Sequence, residues 1–465
     1  MHPVNEATVT LESRTYDDLK PGDAVTVERQ LSEDDAAFVT ALARGLVQLP
    51  DGMAAGTTGY DVWAGAMFAT VLISMLPGPG TVFRSQSLRF VEPVAVGDTL
   101  QVTVVVREKR EADRTVLLEC TATNQDDHVV VTGTAEVTPP RVRTAARRGE
   151  IPHVQFYDHR NFEELLERCK GKAPVPTAVA HPCDASSLEG AVRAARMGLI
   201  VPILVGPRAR IENLAASSGL DLGGLEMIDQ PHSHAAAARA VELARTGEVD
   251  LLMKGSLHTD ELMQFVVDAE HGLRTARRVS HIFVMDVPTY PKLLFVTDAA
   301  VNIFPTLRDK VDICQNAIDL AQALGVERPK VAILSAVETV TDKIPSTLDA
   351  AALCKMADRG QITGAELDGP LAMDNAISMA AARTKGIRST VAGEADVLLV
   401  PDLEAGNMLA KNLSFMANAE SAGVVVGARV PIILTSRADS VRARLASCAI
   451  AALLAHERAR PRFPA

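Results

Sequence analysis

Charged and polar residues gather directly after several apolar, strand-like runs in the second half of the chain. They are Lys254-Gly255-Ser256 after DLLM, Thr297-Asp298 after LLFV, Glu338 after AILSAV, Pro401-Asp402 after VLLV, and Ser436-Arg437-Ala438-Asp439 after PIILT. In open α/β sheets, ligands bind outside the carboxyl ends of the strands, where helix N-termini present free N–H donors. We therefore predict that these residues converge on one crevice.

A further candidate is the segment GNMLAKNL at residues 406–413, between a strand end and a helix. Gly406 allows a close backbone approach and Lys411 adds a positive charge one helical turn further on, which suits a phosphate. Neither the GxxxxGK[ST] spacing of a P-loop nor a GxGxxG fingerprint is present, so ATP and NAD are both disfavoured. Each residue alone has a plainer explanation, with Gly406 in a turn, Lys411 on a solvated helix face, and Asp298 and Ser436 as helix N-caps.

The composition excludes several classes of function. The formal net charge of -11 is spread over acidic and basic residues mixed along all 465 positions, which disfavours a nucleic-acid or membrane partner. The six cysteines form no CxxC pair, which predicts reduced thiols and no zinc site. The N-terminus lacks a secretory pattern, and the most apolar stretch, residues 62–76, is shorter than the roughly 20 residues of a membrane span. We expect a cytoplasmic protein with a buried helix at 62–76.

The patterning changes near PPRVRTAARRGEIPH, residues 139–153. Before it, alternation typical of antiparallel strands follows one long apolar helix, whereas after it apolar β runs alternate with Ala-rich helices. We therefore predict a first domain at 1–140, a linker at 141–152 and an α/β domain at 153–465. Nine β runs exceed what one compact sheet usually holds, so we expect two lobes facing a cleft, lobe I at about 153–290 and 431–465 and lobe II at about 291–430.

Residues 250–445 resemble the phosphate acetyl/butyryl transferase family, most closely its butyryltransferase branch. The matching stretches include LLMKGSLHT, HGLR, VSHIFV, VTDAAVNIFPTL, KMADRGQITGAELDGPLAMDNAIS, KGIRSTVAGEADVLLVPDLEAGNMLAKNL and PIILTSRADS. The resemblance implies an isocitrate-dehydrogenase-like pair of α/β lobes with the active site between them, and a homodimer or higher homo-oligomer. It also implies acyl-CoA, inorganic phosphate and acyl phosphate as partners, with no metal or redox cofactor.

The resemblance carries the catalytic residues Ser436 and Arg437 onto this chain, and the guanidinium of Arg437 suits a phosphate group. The acetyl branch places an aspartate where this chain has Ala443, so Asp439 is our substitute base, with a helix N-cap role as an equal alternative. The candidate substrate-binding residues are Lys254, Arg274, Thr297, Asp298, Asn302, Gly406, Asn407 and Lys411.

Two departures bear on the reaction. The acetyl branch favours a glutamine where this chain has DGPLAMDNA, which points to a longer acyl group than acetyl. The absent aspartate also leaves open a non-catalytic acyl-CoA-binding scaffold. A dehydrogenase on the same scaffold is a third alternative, although its nucleotide fingerprint and metal-binding aspartates are missing.

The first domain resembles a MaoC-like hotdog enoyl-CoA hydratase, above all at residues 76–106. Aligning Phe38 with the family's phenylalanine puts Arg44 and Leu49 where hydratases carry their catalytic aspartate and histidine, and neither residue exchanges a proton usefully at neutral pH. We favour a degenerate module for dimerisation or acyl-CoA binding. The alternatives are a hydratase with other residues, such as Asp51 or Asp61 as base, giving a bifunctional protein, and a structural appendage.

Overall fold

The computed structural model describes residues 10–32, 35–36, 38–39, 60–147, 160–435 and 439–459. The chain divides into two compact units, Met1–Phe156 (unit 1) and Tyr157–Ala465 (unit 2). Each unit has hydrophobic clusters of its own. No helix in these ranges is long and apolar enough to cross a membrane.

Unit 1 contains a five-stranded antiparallel sheet with one long helix against it. The elements are β1 (Thr10–Glu12), a short 3-10 helix (Tyr16–Asp18), β2 (Ala24–Gln30), α1 (Tyr60–Ser74), β3 (Val82–Phe90), β4 (Thr99–Arg110), β5 (Thr115–Thr123), β6 (Val129–Thr138) and β7 (Ala145–Arg147). The sheet order is β2-β4-β5-β6-β3, and β1 pairs with β7. The helix and antiparallel strands expected from the sequence are both present.

The packing of unit 1 follows the hydrophobic pattern of its strands, which repeats every two residues, and that of its helix, which repeats every 3.6 residues. Alternate residues of β4 from Leu100 to Val106 are fully buried, because successive side chains of a strand point to opposite faces. Phe68 and Leu72 of α1 are buried in the same cluster, whereas Val62 and Ile73 of that helix remain exposed. The apolar stretch at 62–76 is therefore a core helix with one face uncovered within the described part of unit 1.

Unit 2 contains eleven strands in one sheet, with helices on both faces. The strands are β8 (Val175–Ala180), β9 (Ile200–Gly206), β10 (Glu226–Asp229), β11 (Leu251–Lys254), β12 (Ser280–Asp286), β13 (Leu294–Thr297), β14 (Lys330–Leu334), β15 (Glu366–Leu371), β16 (Val397–Leu399), β17 (Glu420–Val426) and β18 (Ile432–Ile433). The helices are α2 (Arg160–Cys169), α3 (Ala185–Arg196), α4 (Arg208–Ser217), α5 (Ser233–Thr246), α6 (Thr259–Val266), α7 (Leu307–Ala323), α8 (Pro345–Asp358), α9 (Met373–Ile377), α10 (Met379–Thr384), α11 (Leu403–Met416) and α12 (Val441–Ala459).

Strand direction reverses across this sheet. The order is β10-β9-β8-β11-β18-β17-β12-β13-β16-β14-β15. The first five strands are parallel to one another and form the first half-sheet, and the last four are parallel and form the second half-sheet. Three antiparallel pairings, β18 with β17, β17 with β12 and β12 with β13, lie between them. The two half-sheets therefore point their carboxyl ends in opposite directions.

This reversal corrects the prediction of one crevice for all the strand ends. Lys254-Gly255-Ser256 lies at the carboxyl edge of the first half-sheet, whereas Thr297-Asp298 and Pro401-Asp402 lie at the opposite edge. The eleven strands also form one continuous sheet, because β12 and β17 join the two halves, rather than the separate sheets expected from nine β runs. β12, assigned above to lobe I, pairs with β13 and β17 of lobe II.

Candidate active site

The connections of the first half-sheet define a switch point between β8 and β11. From β8 the chain runs to β9 and then β10 on one side, and it returns to β11 on the other side of β8. Loops that leave neighbouring strands in opposite directions open a crevice at their carboxyl ends, where α/β proteins bind ligands. His181 directly follows β8, and Gly255 and Ser256 directly follow β11.

The two loops at the switch point are joined by backbone hydrogen bonds. The Gly255 N–H donates to the Ala180 carbonyl and the Ser256 N–H donates to the His181 carbonyl, each at 2.9 Å. A Cβ atom on Gly255 would lie 2.4 Å from both of these carbonyl oxygens. Glycine is therefore required at this position by the close approach of the two chains.

Lys254 supports the same turn from inside the protein. The side chain is buried, and its Nζ donates to the Gly255 carbonyl at 3.2 Å and to the Leu257 carbonyl at 3.1 Å. Its charge therefore contacts backbone carbonyls at the carboxyl edge. Substrate contact by Lys254 stays a prediction.

The neighbouring strand β18 leads into the predicted Ser-Arg pair. Ile433 of β18 lies beside Met253 of β11, so β18 ends next to the start of the Lys254–Ser256 turn. Thr435 is buried at this edge. Ser436 and Arg437 follow it and lie outside the described residues, so their roles stay predictions.

Arg444 is a buried arginine that the sequence interpretation missed. Its Nη1 donates to Thr435 Oγ1 at 2.6 Å and its Nη2 donates to Ser186 Oγ at 3.1 Å, which ties α12 to the end of β18 and to the start of α3. Ser186 in turn donates to Asp184, the N-cap of α3. Although burial would raise the pKa of Asp184, hydrogen bonds from Ser186 and Ser187 and the nearby Arg444 charge hold it below its ordinary value.

We expect Arg444→Ala to lower the free energy of unfolding of unit 2 by about 3 kcal/mol, because it removes two buried hydrogen bonds and leaves a cavity. Arg442→Ala is the matched control on the same helix. It removes half-exposed ion pairs to Glu163 and Glu420 and should cost under about 1 kcal/mol. Urea unfolding of both variants measures the difference. Equal losses would contradict the prediction.

A small cavity of about 200 Å³ lies at the same edge, near the start of α12. Its lining includes Lys411 and Phe415 of α11, Phe283 of β12, and Asp439. Ser440 Oγ accepts the Ala443 N–H at 3.1 Å, so Ser440 caps the start of α12. Asp439 and Lys411, two predicted site residues, therefore line one cavity.

A larger cavity of about 1010 Å³ runs along α6, which begins three residues after Ser256. Its lining includes Arg274, Arg308 and Asn302, together with Arg278, whose Nε donates to Asn302 Oδ1 at 2.8 Å. Arg274 and Arg308 make no ion pair with any described residue. The lining also contains Asp260, Asp309 and Asp312, and Arg278 forms an ion pair with Asp309, so Arg274 and Arg308 are the arginines that an anionic ligand could neutralise.

The remaining predicted residues build the opposite edge of the sheet. Asp298 is buried and accepts hydrogen bonds from the Ala300 and Val301 N–H groups and from Asn302 Nδ2, and burial raises the pKa of its carboxyl group. A Cβ on Gly406 would already lie 2.8 Å from the Asp298 carbonyl oxygen. The close approach at Gly406 is therefore to the protein's own backbone.

Three further contacts complete this edge. Thr297 Oγ1 donates to the His281 carbonyl, Asn407 Nδ2 donates to the Ala299 carbonyl, and Asp402 caps α11 by accepting the Ala405 N–H. Of this group only Asn302 reaches the larger cavity. In the described ranges no cluster of three or more His, Cys, Asp or Glu side chains could hold a metal ion.

Comparison with known proteins gives unit 2 its class. The model of the phosphate acetyl/butaryl transferase family matches residues 232–452. A phosphate acetyltransferase of Rhizobium meliloti is 66% identical over 64% of this chain and 94% of its own length, and a phosphate butyryltransferase of Clostridium acetobutylicum is 43% identical over 64% and 98%. A branched-chain phosphotransacylase from Enterococcus faecalis V583 is 30% identical in sequence and matches with a TM-score of 0.54 over 61% of this chain and 99% of its own.

The fold, the two cavities and these similarities define an acyltransferase. The chain belongs to the phosphate acetyl/butyryl transferase family. The names do not support the predicted preference for the butyryl branch, because the relative at 66% identity is a phosphate acetyltransferase and the butyryltransferase is at 43%.

Proposed function

We propose that unit 2 transfers an acetyl group between coenzyme A and inorganic phosphate, forming acetyl phosphate. The observation that carries this proposal is the arginine-lined cavity along α6, in the region that resembles the Rhizobium meliloti phosphate acetyltransferase. Coenzyme A carries phosphate groups that Arg274 and Arg308 would bind. The cavity has the size expected of a large ligand site.

In the proposed reaction, the thiolate of coenzyme A attacks the carbonyl carbon of the acyl phosphate, and phosphate leaves with its bonding electrons. Arg437 would hold the phosphate through two charge-assisted hydrogen bonds, and Ser436 would donate to developing negative charge. Asp439 is retained as one candidate base. The scheme needs only a base, a hydroxyl donor and positive charge, so it uses no metal or redox cofactor.

The test is a comparison of acetyl-, propionyl- and butyryl-CoA with phosphate as acceptor. We expect kcat/KM to be highest for acetyl-CoA and at least about 10-fold lower for butyryl-CoA, since two extra methylenes must fit the acyl pocket. CoA release followed with a thiol reagent measures each rate. Absence of turnover with tight CoA binding would support the scaffold instead, and a preference for butyryl-CoA would overturn the assignment of the acyl group.

We also propose that unit 1 is a MaoC-like hotdog domain without hydratase activity. Arg44, Leu49 and Asp51, on which the sequence argument rests, lie outside the described residues, and nothing is described of the Asp61 side chain. His128, the only histidine in the described part of unit 1, is exposed in the turn before β6. We expect no hydration of crotonyl-CoA by the full chain, measured by loss of enoyl absorbance.

The proposal includes a homodimer or higher homo-oligomer. Large apolar side chains are exposed on α11 and on the segment before α7, namely Ile303, Phe304, Met408, Phe415 and Met416. Exposed apolar side chains of this size are typical of surfaces that another chain covers. Light scattering of the full chain tests the oligomeric state, and a monomer at micromolar concentration would contradict it.

A further inference from the structure

We propose that His181 is the general base that takes the proton from the coenzyme A thiol, and that Ser256 sets the imidazole tautomer for this role. The inference rests on the proposed acyl transfer. His181 would supply the base that is missing where Ala443 replaces the aspartate of the acetyl branch. His181 lies in the TAVAHP segment, for which the sequence predicts only a strand.

The hydrogen bonds of the pair fix the tautomer. His181 Nδ1 lies 2.9 Å from Ser256 Oγ, and Ser256 Oγ also lies 2.9 Å from the His181 carbonyl oxygen. A carbonyl oxygen only accepts, so the Ser256 hydroxyl proton is directed to it, and the proton between Nδ1 and Oγ belongs to the imidazole. Nε2 then carries the lone pair. It is the atom that can accept a proton.

The position of His181 and Ser256 in the sheet is the second observation that supports the proposal. His181 and Ser256 leave the two strands that flank the switch point, where a ligand is expected. Thr435, which precedes the predicted Ser436-Arg437 pair, lies along the same edge beside the Lys254–Ser256 turn. His181 is 8% exposed, and Nε2 has no hydrogen-bond partner among the described residues. The acceptor atom is therefore not already occupied by a described protein group.

Charges from four elements act on the ring. Arg210 on α4 and His232, the N-cap of α5, disfavour the protonated imidazole, whereas Glu261 on α6 and Asp184, the N-cap of α3, favour it. Burial is the largest effect, and with Arg210 it lowers the pKa of His181 below its ordinary value of 6.5. At neutral pH the imidazole is uncharged. That is the form a base requires.

The proton and electron changes balance without another reactant. In the direction of thioester formation, the S–H bond breaks and its proton passes to Nε2. The thiolate forms the C–S bond, and the C–O bond to phosphate breaks with its electron pair on the phosphate oxygen, which takes the proton from the imidazolium and restores the neutral base. In the reverse direction the imidazole takes the proton of hydrogen phosphate as phosphate attacks the thioester, the C–S bond breaks, and the imidazolium gives the proton to the leaving thiolate.

Asp439 is less suited to the role. It lines the smaller cavity together with Lys411, and a carboxylate is in general a weaker base than an imidazole. A carboxylate base and an imidazole base also predict different pH dependences. A rate that rises with pH through the general carboxyl range, near 4, would point to a carboxylate base, whereas a midpoint above that range and below 6.5 identifies His181.

The experiment measures kcat and KM for coenzyme A with acetyl phosphate from pH 3.5 to 8, in the full chain. The unchanged protein should show a rate that falls at acid pH with a midpoint below the ordinary imidazole value of 6.5. His181→Gln should lower kcat by about 100-fold or more, within the range for loss of a general base, and should remove this acid limb while KM changes little. Ser256→Ala should lower kcat by about 10-fold and keep the limb, because the imidazole remains but is no longer held in one tautomer.

His232→Asn is the matched control, since asparagine can also accept the Ala235 N–H that His232 accepts at the start of α5. It should keep kcat and an acid limb, with at most a small shift of the limb to higher pH, because His232 is the last and weakest of the charges that act on His181. If His181→Gln retained the limb and more than half of kcat, the proposal would be overturned while the acyl transfer stood. If the unchanged protein showed no turnover, the proposed function itself would fall, and this role with it. Should His181→Gln not fold, full activity of Ser256→Ala would overturn the proposal.

Discussion

Gly255→Ala should lower kcat/KM for acyl transfer by at least about 100-fold and the free energy of unfolding by about 3 kcal/mol. The added methyl group would lie 2.4 Å from the carbonyl oxygens of Ala180 and His181, so the two loops at the switch point must separate. Their separation breaks the bonds from the Gly255 and Ser256 N–H groups and moves Ser256 away from the imidazole. Steady-state kinetics and urea unfolding measure the two effects.

Gly206→Ala is the matched control at the end of the adjacent strand β9. Its nearest neighbours would be Ile211 Cδ1 at 3.3 Å and the Cα and Cδ2 atoms of His181 at 3.4 and 3.8 Å. The last two distances are ordinary van der Waals contacts, so a small adjustment of Ile211 accommodates the methyl group. We expect less than about 1 kcal/mol of destabilisation and near-normal activity. Equal behaviour of the two variants would show that the Gly255 turn tolerates a side chain.

The second large effect is expected for the arginine after Ser436. Arg437→Ala should lower kcat/KM by about 1,000-fold, because a phosphate that gains charge in the transition state loses its charged donor. Arg437→Lys keeps the charge but loses the planar fork, so we expect an intermediate loss of about 10- to 100-fold. The measurement is CoA-dependent consumption of acetyl phosphate.

Unfolding curves of both Arg437 variants serve as the control for folding. An unchanged curve with the expected loss of rate assigns the effect to chemistry. Retention of more than half of the activity in Arg437→Ala would refute the role that the family resemblance implies for this residue.

The sequence carried enough information for the secondary structure of unit 2. Apolar runs such as DLLM and LLFV became β11 and β13, and the Ala-rich segment Ser233–Thr246 became α5, because each pattern matches one hydrophobic period. The hydrophobic period of a strand gives no information on the direction in which the neighbouring strand runs. A single antiparallel insertion at β12 and β17 therefore separated strand ends that the sequence suggested would meet.

The sequence also did not predict which residues far apart in the chain form hydrogen bonds with each other. His181 and Ser256 are 75 residues apart, and Arg444 reaches a serine 258 residues earlier. His281 lies in VSHIFV, one of the segments that match the family, but its side chain is fully buried beside Phe283, and burial lowers its pKa to about 3. The sequence alone does not distinguish a histidine at the end of a strand from one that is buried in the middle of a sheet.

The reversal of strand direction has a consequence for how such enzymes diversify. In the proposed site the first half-sheet contributes the loops that follow its strands, whereas lobe II lines the small cavity with Phe415, near the end of α11, and Ser421, near the start of β17. Substitutions at Phe415 and Ser421 can change the bulk of this lining without moving the backbone of His181, Ser256 and Thr435. The lining that lobe II contributes can thus diverge among relatives while the strand ends of the first half-sheet are inherited unchanged.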